Sequence, residues 1–167
     1  MADIQISSFD EFKVGEIISQ RIDFSIKENR FLMLFTPVKD FSDAETLASR
    51  SREIGFTIPD ACYEIKFDRL ENFESENFYE IPSHKLSLSE IRHLGKKLVH
   101  LLEFHCQETS AEAYLAVAER PKLRSFYDRL AKNYADTLQF EVLKDLEPGG
   151  FGYAIRTYNF RGKGKKN

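Results

Sequence analysis

The sequence predicts one α+β domain with a mixed, mostly antiparallel central sheet flanked by helices. Three observations carry that reading. β-rich runs joined by short turn segments stand near both ends, at 16–38 and 138–160. Between them, apolar residues from Leu88 to His105 recur every three or four positions, the period of a helix packed on one side. Strand-like and helix-like patterns then alternate without an internal repeat or a linker-like stretch.

Taken in order, EIISQRIDFSIKENRFLMLFTPV reads as a hairpin turning at Lys27, Glu28 and Asn29, none of which has an apolar side chain. Ile18, Ile22, Phe24 and Ile26 keep mostly to one period-2 face, whereas Phe31 to Phe35 is continuously apolar and is expected to be covered on both faces. Pro37 closes this arm. Ser42 with Glu45 then has the spacing of a capping box, and a short amphipathic helix through Ala44, Leu47, Ala48, Ser51 and Ile54 runs to Gly55. CYEIKFDRL at 62–70 alternates as a strand, ENFESEN reads as an acidic loop, and FYEI at 78–81 as a second short strand, the pair bracketed by Pro59 and Pro82.

Ser87 and Glu90 form a second capping-box signature, opening the longest helix at 87–109. AYLAVA at 113–118 is a strand rather than a helical segment because Pro121 follows, a residue suited to the first turn of a helix; Leu123, Phe126, Tyr127, Leu130, Ala131 and Tyr134 make that helix's stripe. The run LQFEVLKDLEPGGFGYAIRTYNF reads as a hairpin around EPGG, whose glycines accept positive φ at little cost. Residues 1–160 are one domain on this reading. RGKGKKN at 161–167, with Arg161, Lys163, Lys165 and Lys166, is a flexible basic tail.

Composition narrows the function classes. With 24 Lys and Arg against 27 Asp and Glu the net charge is −3, which disfavours a general nucleic-acid binder. A chain of 167 residues buries ~70% of its unfolded surface without staples. Cys62 and Cys106 lie far apart with no CxxC or Cys/His cluster, and read as buried thiols in a reducing compartment. No secretory leader and no apolar window of the roughly 18 residues needed to span a membrane are visible, so a cytoplasmic location is expected.

Hydrolase and metal signatures are missing. His93 and His100 are seven residues apart on the long helix, too far for a one-turn chelating pair, and HExxH, GxSxG and GxxxxGK[ST] do not occur. Glu64, Glu80 and His84 are candidates for a base, but each reads first as a solvent-facing polar group and none is assigned a catalytic role.

The segment IRHLGKKLVHLLEFHCQETSAEAYLAVAERPKLRSFYDRLAKNYADTLQF resembles the core of the GNAT acyltransferases, over residues 77–160. The family's phosphate motif has Gln or Arg, two residues, Gly, one residue, then Gly or Ala; here Arg92, Gly95 and Lys97 take those positions, with a long cation in the last. By resemblance these three would bind the cofactor, acetyl-CoA, whose pyrophosphate suits backbone amides at a helix start. Gly95, inside the helix that Ser87 opens, reads first as a close-packing position. YLAVAERPKLRSFYDRL resembles the family segment where a strand splays from its neighbour to admit the pantetheine arm and the next helix presents a tyrosine. Tyr127 would then protonate the departing thiolate, unless it only packs the helix on the sheet.

The resemblance implies transfer of an acetyl or acyl group to an amine on a small molecule or a protein. The alternative is a non-catalytic interaction protein, of a bacterial or phage accessory or immunity type, that presents Glu71 to Glu80 to a protein partner.

Overall fold

The structure is a computed structural model that describes residues 10–14, 16–75 and 86–162. Twelve segments follow in chain order: β1 (Asp10–Val14), β2 (Ile17–Ile26), β3 (Asn29–Pro37), a 3-10 turn (Val38–Asp40), α1 (Ala44–Ile54), β4 (Cys62–Arg69), α2 (Leu70–Ser75), α3 (Leu88–Thr109), β5 (Ala113–Val117), α4 (Pro121–Leu138), β6 (Glu141–Leu146) and β7 (Gly152–Arg156). The strands form a mixed seven-stranded sheet in the order β1-β2-β3-β4-β5-β7-β6, so the α+β class holds. Every neighbouring pair is antiparallel except β4 with β5.

The β2–β3 hairpin pairs Ile26 with Asn29, leaving a two-residue turn at Lys27 and Glu28; Asn29 belongs to the strand rather than to the expected turn. Phe31, Leu32, Met33 and Phe35 are buried; β3 lies inside the sheet, and Phe31, Met33 and Phe35 share one core cluster with residues of α3 and α4. α1 begins one residue later than the Ser42 box implied. Asp43 is the cap, its carboxylate accepting from the Thr46 amide at 2.7 Å, and that hydrogen bond holds the Asp43 carboxyl below its usual range. Gly55 ends the helix in the left-handed region at φ 86°.

Two further corrections fall in the first half. β1 pairs along β2 as an edge strand where no element was expected. The acidic stretch read as a loop enters α2 instead, with Leu70 and Asn72 buried and Asn72 donating to Asp68 at 2.9 Å. The expected strand at 78–81 and Pro82 lie outside the described residues, as do 163–167 of the tail.

α3 and α4 form as expected. Ser87 accepts from the Glu90 amide at 3.1 Å while Glu90 accepts from the Ser87 amide at 2.8 Å, a closed capping box. Pro121 occupies the first turn of α4. These two helices share one sheet face with Phe35, Leu98, Leu101, Tyr114 and Phe126. On the other face Leu47 and Ile54 of α1 pack against Val38, Ile58, Cys62, Leu115 and Ala154. Both cysteines are fully buried free thiols, and burial pushes Cys62 up to about 12.

Candidate functional site

The one parallel pair of the sheet is short. Cys62, Tyr63 and Glu64 face Ala113, Tyr114 and Leu115, and there the pairing ends. Beyond it each strand keeps its outer neighbour: β4 stays on β3 as far as Arg69, and β5 stays on β7 as far as Val117. The two strands therefore part like a fork in the middle of the sheet. A parallel connection needs a long crossover, and α2 and α3 stand between the two strands in the chain.

A cavity of about 120 Å³ lies beneath this fork, on the α3–α4 side. Ile65 and Phe67 of β4 and Ala116 of β5, the residues just past the last paired positions, line it together with Leu98 and Leu102 of α3 and Tyr127, Leu130 and Ala131 of α4. No charged side chain is among the described lining residues. Strand alternation sends Ile65 and Phe67 to this side and therefore Glu64 to the opposite one. There the Glu64 carboxylate sits between Arg50 of α1 and Lys66, each at 3.7 Å.

Tyr127 is half-buried in the cavity wall. Its ring meets Tyr153 edge-on at 5.5 Å and lies 6.1 Å from Phe67, so α4 fixes it against two strands. The Tyr153 hydroxyl donates to Asp128 Oδ1 at 2.7 Å and lies 3.1 Å from the Arg124 carbonyl. Burial, reinforced by the Asp128 bond, pushes that phenol up and keeps it protonated.

Arg92, Gly95 and Lys97 all lie inside α3, past its capping box. Arg92 is exposed, Gly95 buried and Lys97 half-buried. Five residues of helix put Arg92 and Lys97 roughly 140° apart around the axis, so they do not share a face. Gly95 meets α4: a Cβ there would stand 2.7 Å from Leu130 Cδ2 and 3.7 Å from the Phe126 ring. The amides of Ser87 and Glu90 at the helix start are already bonded within the box, and Glu90 adds a carboxylate there. Of the candidate bases, Glu80 and His84 lie outside the described residues. So does the second half, 76–80, of the acidic Glu71–Glu80 surface; Glu71 itself is paired with Arg69 at 3.5 Å.

The histidines of α3 separate: His93 and His100 are exposed, whereas His105 is fully buried. His105 stacks on Phe35 at 3.8 Å between ring centroids, with Tyr63 edge-on at 4.6 Å. Its Nε2 lies 2.6 Å from Gln20 Oε1 and its Nδ1 2.7 Å from the Tyr114 hydroxyl. Since the amide oxygen can only accept, Nε2 carries the proton and Nδ1 accepts from Tyr114. Burial depresses the imidazole to about 3, so it is neutral near pH 7. Sequence spacing gave no sign of this network, because its partners come from β2 and β5. Among the described residues no group of three His, Cys, Asp or Glu side chains converges as a metal site. None of their helices is long and apolar enough to cross a membrane.

Comparison with known proteins finds no protein family, no curated protein and no solved structure that matches this chain.

Proposed function

We propose that this chain is a GNAT-like acyltransferase that admits an acyl thioester of the coenzyme A type at the fork between β4 and β5 and passes its acyl group to an amine. The fork carries the reading. Parallel pairing that stops after three positions, above an apolar cavity walled by a helix-borne tyrosine, supplies what the resemblance asks of the splayed strand and of Tyr127.

In the reaction the amine nitrogen attacks the thioester carbonyl. The new C–N bond forms as the C–S bond breaks, the Tyr127 phenol gives its proton to the departing thiolate, and the amine's surplus proton passes to solvent, which returns a proton to the Tyr127 phenolate. A rigidly held phenol suits this, because the proton is needed only as charge develops on sulfur. The diphosphate end is served differently from the family's usual loop. α3 starts with a closed, carboxylate-bearing box and Gly95 lets α4 lie close to α3, so one cation of the pair, Arg92 or Lys97, which lie on different faces, meets the phosphate as a side-chain charge.

Native mass spectrometry with acetyl-CoA, followed by thiol release in the presence of a panel of amines, tests the reading. A one-to-one adduct and amine-dependent thiol release are expected, with Tyr127→Phe folded, still binding, and slower by roughly 10²–10⁴. Absence of both adduct and release at millimolar ligand contradicts it. Full turnover by Tyr127→Phe removes that residue from the chemistry.

A further inference from the structure

Resting on that reading, we infer that the acyl group taken by this site is an unbranched saturated chain of about four to six carbons, butyryl to hexanoyl, rather than acetyl. The cavity holds about 120 Å³, close to the roughly 150 Å³ of an apolar protein cavity that accepts benzene. A single methyl group leaves most of that space empty, and an unfilled void forfeits contacts along its whole lining. Ala131 and Ala135 stand one turn apart on the cavity side of α4 and leave the room, and Met33, Leu98, Leu102 and Leu138 add to its apolar lining. An acyl group bearing a carboxylate or an ammonium would lose its hydration with no charged side chain among the described lining residues to meet it. The lining hydroxyl of Tyr153 is already committed to Asp128. The space therefore recognises an uncharged hydrocarbon tail, with the thioester at the fork.

Isothermal titration of the full chain with acetyl-, butyryl-, hexanoyl- and decanoyl-CoA, and with free hexanoate, tests this. Affinity should rise roughly fourfold per methylene up to the limit of the cavity, so that hexanoyl-CoA binds roughly 250-fold tighter than acetyl-CoA. Decanoyl-CoA should gain nothing further. Ala131→Leu and, separately, Ala135→Leu should bring the hexanoyl-to-acetyl ratio towards one, each checked for folding by circular dichroism. Equal binding of acetyl- and hexanoyl-CoA overturns the chain-length inference and leaves the acyltransferase reading standing. Hexanoate binding as tightly as its thioester overturns the thioester as the ligand, and failure of all five ligands overturns the acyltransferase reading itself.

Discussion

His105→Ala should lower folding stability by about 3–5 kcal/mol, measured as a shift in urea midpoint at constant m. Two losses combine. The ring that stacks on Phe35 and meets Tyr63 edge-on leaves a cavity, and the fully buried Tyr114 hydroxyl loses its acceptor. An apolar pair separates them: His105→Leu with Tyr114→Phe should be more stable than His105→Leu alone, by about 1–3 kcal/mol, because no hydroxyl is then left unmatched. Simple additivity of the two changes would mean that the Tyr114–His105 bond contributes nothing.

The same residue sets part of the acid response. Unfolded, His105 takes up a proton near its ordinary 6.5; folded, burial delays this to about 3. The unfolded state thus binds more protons between those values, and stability is complete above 6.5 and lost as pH falls through the window. The slope reaches about 1.4 kcal/mol per pH unit at most. Carboxylates titrate in wild type and variant alike, so subtracting the His105→Leu profile isolates the histidine. Parallel profiles from pH 7 to 4 would show that the ring is hydrated.

Gly152→Ala should cost about 2–3 kcal/mol, for a reason unrelated to backbone conformation. A Cβ at this position would stand 2.1 Å from the Glu147 carbonyl oxygen and 3.1 Å from that of Leu146. Both are backbone atoms, so no rotamer relieves the clash and the β6–β7 turn must open. Gly150→Ala is the contrast. It has φ 82° and nothing within 4 Å of an added Cβ, so only the left-handed conformation is penalised, at about 1 kcal/mol. Thermal melts of the two variants rank them directly; equal losses would mean that the turn yields freely.

The elements visible in the sequence were those with several local signals in agreement. α3 had a capping box together with a long apolar period, and α4 had Pro121 before its stripe. β1 offered only five residues, three of them charged, and an edge strand needs no alternating apolar face. At α1, Ser42 and Asp43 are both competent caps, and the carboxylate that reached the Thr46 amide decided between them. α2 is too short for periodicity to register.

The site was less legible because its parts are joined only through space. Tyr127 could be singled out on its helix, yet the cavity beside it draws on five strands and two helices. Gln20 and His105 are 85 residues apart in the chain. Gly95 shows the same limit. A glycine inside a helix permits either a phosphate approach or a helix contact, and only its spatial neighbours, Leu130 and Phe126, reveal the contact made here.

Methyl-resolved NMR of the folded chain during titration with hexanoyl-CoA tests most directly that the space beneath the β4–β5 fork is a ligand site. The account predicts saturable shifts at the methyls of Ala116, Leu130, Ala131 and Leu98, with those of α1 on the opposite sheet face unmoved. Shifts confined to residues outside the cavity, or none at all at saturating ligand, would contradict it.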